Sequence, residues 1–357
     1  MQLSNKVDKR ILKQELLNAT DSFVTISFYR YKFIENPQVL RDELYRAWYA
    51  MGVKGRIYLA QEGINAQLSV PEKYLEVFDT HLQMFSLTKN IRRNFAVEQG
   101  KSFFKLKILV RDKIVADGID DPTFDSSNCG VHLGAKEFNE MMAHPDAVII
   151  DFRNHYESEV GHFQNAVLPD VDTFREQLPK VAEEFKDNKD KPILMYCTGG
   201  IRCEKASAYM KHKGFNQVFQ LEGGIIKYAK DCKEQGIEPK FIGKNFVFDE
   251  RLGERITEDI IAECHQCGKP ADTHTNCINE ACHLLFIQCD SCKEAFENCC
   301  SSECVDFIKL PIEQQKELRK GIDKGRQVFK KGRAEHLKMI AANDADKAEA
   351  HPFVQSN

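Results

Sequence analysis

The run Met195-Tyr196-Cys197-Thr198-Gly199-Gly200-Ile201-Arg202-Cys203 places a cysteine, two glycines and an arginine within nine residues, a combination suited to a thiolate nucleophile. An apolar, strand-like run from Pro192 to Tyr196 precedes it, and the stretch from Glu204 to Lys213, closed by Gly214, has helical composition. Cys197 is therefore expected where a strand ends and a helix begins. Backbone amides and the positive end of the helix dipole converge at such a place, and with the Arg202 guanidinium they favour ionised sulfur over the thiol. Thr198, Gly199, Gly200 and Ile201 form the loop that supplies those amides. A cysteine that only fills a core needs neither glycines nor an arginine beside it. Cys203 is open between a resolving thiol and a packing residue.

Four residues separate Cys197 from Arg202, one fewer than in cysteine phosphatases, whose ring of amides fits a phosphate. The tighter ring resembles the active loop of rhodanese domains, and so do its surroundings. Val148-Ile149-Ile150-Asp151-Phe152-Arg153 is similar to the rhodanese strand ending in Asp-x-Arg, with Asp151 and Arg153 as supports of the loop. Glu157 with Gly161-His162-Phe163-Gln164-Asn165-Ala166 resembles the glycine-histidine motif, and Leu221-Glu222-Gly223-Gly224 the closing strand and turn.

A second chemistry is concentrated further on, where nine of the thirteen cysteines fall between Cys264 and Cys304. Cys264-His265-Gln266-Cys267 and Cys289-Asp290-Ser291-Cys292 are knuckles with two residues between ligands, the spacing of zinc ribbons. One zinc is expected on Cys264, Cys267, Cys289 and Cys292, and another on Cys277, Cys282 and Cys304 with Cys299 or Cys300. His265, His274 and His283 are alternative ligands. Four cysteines also suit an iron-sulfur cluster, but the paired knuckles favour one or two structural zinc ions, closed sites that fold a segment too short for its own core.

The elements that must position these residues are those of an α/β multidomain protein. A chain of 357 residues suggests two or three domains. Its formal net charge of -4 argues against indiscriminate coating of nucleic acid and leaves room for a local basic surface. No apolar signal segment opens the chain and no stretch approaches the roughly 20 apolar residues of a membrane span. A soluble, cytoplasmic protein without a membrane partner is expected, its thiols kept reduced.

Residues 1–120 read as a ferredoxin-like α+β domain. Strand Phe23–Phe28, helix Pro37–Met51, strand Gly55–Ala60, strand Ala66–Val70, a helix from Pro71 to about Phe85, and a last strand or hairpin around Phe95 and from Phe103 to Val110 follow in that order. The Glu62–Asn65 turn reads as hairpin geometry, with Gly63 and Asn65 supplying unusual backbone angles. This fold hosts acylphosphatases and RNA-binding modules alike. Arg92, Arg93, Lys101, Lys105, Lys107 and Arg111, interleaved with Phe103 and Phe104, form a candidate RNA surface, with Arg92, Arg93, Lys105 and Lys107 foremost; an ordinary solvated sheet face has the same composition. Polar turn-formers mark 121–144 as a linker, and 145–240 as a rhodanese-like α/β catalytic domain with a parallel sheet covered on both faces. A cysteine-rich metal-binding module occupies 241–310. The tail, 311–357, is expected to be basic, helical and partly disordered: from Lys309 to Ile340 ten Lys or Arg stand against four Asp or Glu.

Taken together, the ferredoxin-like start, the Cys-Thr-Gly-Gly-Ile-Arg-Cys-Glu-Lys loop and the cysteine-rich end resemble the bacterial tRNA wobble-uridine hydroxylases, rhodanese-containing proteins, from about residue 20 to 310. The resemblance implies oxygen-dependent conversion of the wobble uridine (position 34) to 5-hydroxyuridine, with tRNA as partner and dioxygen as co-substrate. No flavin, haem or pterin motif is visible, so no organic cofactor is expected. A covalent route fits the cysteine: the Cys197 thiolate adds to carbon 6 of the flipped uracil and leaves carbon 5 enolate-like. A persulfide on Cys197 acting as reductant is another route. A rhodanese-type sulfurtransferase or persulfide carrier is the rival function, and a non-catalytic RNA or protein adaptor a third.

Overall fold

The computed structural model describes residues 7, 9–18, 21–321, 333, 334 and 337. The chain divides into two units, the first built from 1–154, 163–240 and 247–255, the second from 155–162, 241–246 and the residues from 256 onward.

In the first unit, helix α1 (Lys9–Asn18) precedes strand β1 (Phe23–Tyr31), helix α2 (Pro37–Ala50), strands β2 (Lys54–Ala60) and β3 (Gly63–Pro71), helix α3 (Leu75–Met84), and strands β4 (Asn94–Phe95) and β5 (Leu106–Val110). Helix α2 begins where Asn36 Oδ1 accepts the Val39 amide at 3.1 Å and the fixed φ of Pro37 shapes the first turn. Its buried Leu44, Tyr45 and Trp48 join Ile26, Phe28 and Ile57 in one core. Along β3, Ile64, Ala66, Leu68 and Val70 are all fully buried, the alternation of a strand with one face on a core.

The five strands run in the order β4-β1-β3-β2-β5, which contains the ferredoxin-like arrangement and adds one strand. The last strand expected between Phe95 and Val110 is thus two: β4 pairs antiparallel with β1 at one edge, and β5 runs parallel to β2 at the other. Arg92 and Arg93 lead into the first edge while Lys105, Lys107 and Arg111 belong to the second, so the basic residues do not form one patch. Phe103 is buried and cannot stack on a base. In the turn, only Gly63 has a positive φ; a Cβ there would meet the Arg30 carbonyl oxygen at 2.0 Å. Asn65 is ordinary strand, in register with Tyr29 and Tyr58.

The chain continues through β6 (Val131–Leu133), α4 (Ala135–Met142), β7 (Val148–Asp151), α5 (His155–Ser158), β8 (Gly161–Phe163), α6 (Phe174–Glu184), β9 (Ile193–Tyr196), α7 (Ile201–His212), β10 (Val218–Leu221) and α8 (Gly224–Gln235). Strands β6-β10-β9-β7 form a parallel sheet in that order. All four residues of β9 are buried, as in a parallel sheet covered on both faces. The segment 121–144 is therefore not a linker throughout, because β6 is the edge strand of this sheet and α4 follows it. Val131 and His132 are exposed, so β6 lacks the apolar run that marks a buried strand.

The second unit takes α5, the start of β8 and β11 (Phe241–Asn245); the two-residue β12 (Glu254–Arg255) returns to the first. Beyond it come β13 (His274–Asn276), β14 (Leu285–Ile287), α9 (Asp290–Ala295), α10 (Ser302–Lys309) and α11 (Ile312–Arg319). Strands β13 and β14 make an antiparallel ribbon. Its two small cores are rich in sulfur: Cys277, Leu284, Phe286, Cys299, Cys300 and Cys304 lie in one, Val160, Ala262, Cys264, Ile287 and Cys292 in the other. Of the tail expected to be basic, helical and partly disordered, α11 is described; nearly all of it after residue 321 lies outside the described residues. Among the described residues, no helix is long and apolar enough to cross a membrane.

Candidate active site and metal centres

Cys197 follows β9 directly, and Gly200, with φ +97°, caps α7, which begins at Ile201, three residues earlier than composition suggests. The Gly200 amide donates to Cys197 Sγ at 3.2 Å. Burial pushes the Cys197 thiol up, but the Cys203 thiol, the Arg202 guanidinium and the amides of Cys203 and Gly200 outweigh it and bring the group down to about 6. The sulfur is ionised at neutral pH. Burial and the neighbouring thiolate push Cys203 far above its ordinary value, so it stays a thiol. Cys203 is at once a core residue, packed with Ile150, Phe152 and Met210, and a donor to Cys197. Arg202 is buried, donates to Thr198 Oγ1 at 3.2 Å, and has its guanidinium 5.8 Å from the Phe248 ring centre.

Two supports hold the loop from below. The Ile225 amide donates to the Cys197 carbonyl at 3.0 Å and the Ile226 amide to that of Thr198 at 3.2 Å, seating the first turn of α8 against the loop. Gly224 permits this approach: its φ is +66°, and a Cβ would meet the Cys197 carbonyl oxygen at 2.5 Å. Asp151 and Arg153 are both buried, with Arg153 Nε 2.9 Å from Oδ1 and Nη2 2.6 Å from Oδ2. The Arg153 guanidinium lies 5.6 Å from the ring centre of Tyr196, the residue before Cys197, and Gln177 donates to the Asp151 carbonyl at 2.6 Å. This pair holds the end of β7 beside the strand that delivers the sulfur.

A third set of contacts comes from the ferredoxin-like part of the same unit and has no motif in the sequence. Tyr29 Oη donates to Glu204 Oε1 at 2.9 Å, Tyr31 Oη to the Ile201 carbonyl at 3.3 Å, and Asn94 Nδ2 to the carbonyls of Gly199 and Gly223 at 3.3 and 3.2 Å. Burial and the Glu204 carboxylate hold the Tyr29 phenol well above its ordinary range, so it remains a donor. Lys205 reaches Glu62 at 2.6 Å and Asp117 at 3.2 Å, which gives the turn residue Glu62 an electrostatic role beyond hairpin geometry. The one local signal was the i, i+2 spacing of Tyr29 and Tyr31, which puts both on one face of β1. Under these contacts Cys197 has no exposed surface, although Thr198 and Gly199 are only half-buried.

The candidate RNA-binding residues separate by environment. Arg92 pairs with Glu222 at 3.1 Å and donates to Tyr29 Oη at 3.3 Å, beside the loop. Arg93 pairs with Asp79 and lies over the Phe95 ring. On the far edge, burial and the cations Arg56, Lys105 and Arg111 push the Lys107 ammonium down.

In the second unit, the sulfurs of Cys264, Cys267, Cys289 and Cys292 lie within 4.8 Å of one another, as do those of Cys277, Cys282, Cys300 and Cys304. Sulfur spacings are 3.6 Å for Cys267–Cys289, 3.6 Å for Cys282–Cys300 and 3.7 Å for Cys300–Cys304. A tetrahedral ion with thiolate bonds of about 2.3 Å sets its sulfurs about 3.8 Å apart, so both sets fit a single metal ion. In an iron-sulfur cluster the four cysteines are divided among two or four irons, which spreads the sulfurs further. Cys299 belongs to neither set: adjacent side chains leave a non-helical backbone in different directions, and Cys300 faces the group. The Cys299 carbonyl instead accepts from Gln266 and Gln288 at 3.2 Å each. The three histidines also stand outside; His265 meets Glu159 at 2.7 Å and His274 packs on Phe246.

Family models match three consecutive segments: an UPF0176 acylphosphatase like domain over 23–114, a rhodanese-like domain over 134–231, and a Rhodanase C-terminal domain over 242–305. A protein of Enterobacter sp. (strain 638) named tRNA uridine(34) hydroxylase is 57% identical over 333 residues, 93% of this chain and 95% of its own. The chain belongs to the tRNA uridine(34) hydroxylase family. A tRNA uridine(34) hydroxylase of Escherichia fergusonii is 55% identical over the same shares of the two chains. In this member of the hydroxylase family, the Cys197 loop falls in the rhodanese-like match and both four-cysteine sets in the Rhodanase C-terminal match.

Proposed function

We propose that this protein hydroxylates carbon 5 of the wobble uridine of tRNA, with Cys197 as nucleophile and dioxygen as co-substrate. One observation carries the reading: a thiol brought down to about 6 in a loop of amides, in a chain 57% identical over nearly its whole length to a tRNA uridine(34) hydroxylase. The Cys197 thiolate bonds to carbon 6 of the uracil, and the electron pair of the 5,6 double bond moves toward carbon 5 and the adjacent carbonyl. Carbon 5 then takes an oxygen atom from dioxygen. Loss of its proton and departure of the thiolate restore the double bond, and two external thiols, oxidised to a disulfide, give the two electrons and two protons that carry the second oxygen atom to water. Arg202 and the loop amides keep the sulfur anionic before addition and receive its charge on departure.

A sulfur with no exposed surface meets a base only when its cover opens. Asn94 holds the loop by bonds of 3.2 and 3.3 Å, long enough to be exchanged for bonds to a nucleotide. The strip of Arg56, Lys105, Lys107 and Arg111 is the proposed phosphate contact, since cations crowded without enough counter-charge gain most from an anion. Arg92, held by a half-exposed pair to Glu222, is proposed to reach the nucleotide next to the loop. Each four-cysteine set is proposed to hold one zinc ion, which supplies folding energy to the second unit.

Cys197→Ser is expected to abolish 5-hydroxyuridine formation on purified tRNA while leaving tRNA affinity unchanged; hydroxylation that survives the change excludes covalent addition. The sulfurtransferase reading gains if thiosulfate turnover is fast and tRNA from cells lacking the gene keeps its full content of 5-hydroxyuridine.

A further inference from the structure

Outside the thiolate loop and the two four-cysteine sets, one more group of metal-type ligands converges in the first unit: Cys129, His132 and Glu204, whose ligand atoms lie within 4.8 Å of one another. We propose that these three residues form a third metal site, open on one side, that binds one divalent transition ion of borderline character. This inference stands independently of the proposed function.

The sequence spacing is that of a ligand knuckle, Cys129-Gly130-Val131-His132, two residues between a sulfur and an imidazole, and its third member comes from the first turn of α7. Gly130 makes the knuckle possible. Its amide donates to Ser207 Oγ of α7 at 2.9 Å, its carbonyl accepts from Gln220 of β10 at 3.2 Å, and a Cβ would meet the Val218 carbonyl oxygen at 2.7 Å. The segment is pinned between helix and strand at its one residue without a side chain, with a ligand on either side of it. His132 is then fixed by the parallel pairing of β6 with β10, opposite Gln220.

Glu204 is oriented in turn. Its Oε1 meets Tyr29 Oη and His132 Nε2, both at 2.9 Å, Oε2 receives a 3.3 Å bond from Gln220, and the Cys129 thiol also bonds to the carboxylate. The carboxylate thus already touches both other members of the group, while Tyr29 and Gln220 hold it in place. Ligating carboxylates and imidazoles are commonly held by such partners. One sulfur, one imidazole nitrogen and one carboxylate oxygen suit ions such as zinc or ferrous iron rather than magnesium or calcium, which prefer all-oxygen sets. Three protein ligands leave a tetrahedral ion one open position, unlike the closed four-cysteine sets. Glu204 stands on the same helix that the Cys197 loop leads into, so the ion would lie beside the nucleophile loop.

Titration of the full-length, zinc-loaded protein with cobalt(II) tests the assignment, because thiolate-bound cobalt adds a charge-transfer band to its visible absorption. Wild type, Cys129→Ser and His132→Ala carry the same eight-cysteine module, so differences among them report on this site alone. The wild type is expected to bind one more equivalent of cobalt than either variant, or to bind it at least about tenfold more tightly. In Cys129→Ser the residual bound cobalt should lack the sulfur band; in His132→Ala it should keep it. Both positions are at least partly exposed, and an unchanged melting temperature verifies the fold. Equal stoichiometry, affinity and spectra in all three proteins overturn the proposal.

Discussion

A thiol brought to about 6 by one neighbouring sulfur, one guanidinium and two amides is a quantity that single substitutions should move. Cys203→Ala removes a donor to the thiolate, so the Cys197 pKa must rise. The rate of iodoacetamide alkylation at Cys197, plotted against pH, should keep its sigmoid form with a midpoint shifted upward from about 6. Arg202→Gln removes the cation and should shift the midpoint the same way. A midpoint unchanged in both variants contradicts the account of why the sulfur is acidic. At this scale the sequence was readable where the chemistry is local: Cys197, Arg202, Asp151 and Arg153 lie within short motifs that backbone geometry alone brings together. Tyr29 and Asn94 were not readable, because Asn94 meets Gly199 across 105 residues and Tyr29 meets Glu204 across 175. Cys299 and Cys300 were undecided for a related reason, since adjacent cysteines differ by only one residue in their spacing to every partner and side-chain direction is what separates them.

Elements carry the loop, and one glycine carries their junction. Gly224→Ala would force an L residue to φ +66° and drive its Cβ into the Cys197 carbonyl. A loss of roughly 1–3 kcal/mol is expected from the backbone angle alone, visible as a lower midpoint in urea denaturation; a variant as stable as the wild type would show that α8 is not seated as described. The parallel sheet was legible from the fully apolar β9, whereas β6 was hidden by its exposed edge position. In the ferredoxin-like sheet, alternation revealed the strands but not that β5 leaves β4 for the opposite edge. That separation gives the basic residues distinct expected effects. Lys105→Ala with Lys107→Ala should weaken tRNA binding and reduce the salt dependence of the affinity by about two counterions. Unchanged salt dependence in that double variant would mean that β5 is an ordinary solvated edge.

Across the whole molecule, stability is divided between two kinds of core. The first unit buries apolar strands and helices; the second surrounds eight cysteines whose sulfurs are spaced for two ions. Chelation should release two zinc ions from the four-cysteine sets and unfold the second unit, read as loss of amide-exchange protection across 256–321. Protection that survives complete metal removal contradicts a structural role for the metal. The knuckle spacings made this module legible without any fold, because ligand number and geometry are written into neighbouring residues.

The central claim is that Cys197 performs hydroxylation of the wobble uridine, and nucleoside mass spectrometry of tRNA tests it most directly. Cells lacking the gene, complemented with the wild-type chain or with Cys197→Ser at equal protein levels, should differ completely: 5-hydroxyuridine and its derivatives return with the first and stay absent with the second. Equal restoration by both chains would contradict the account.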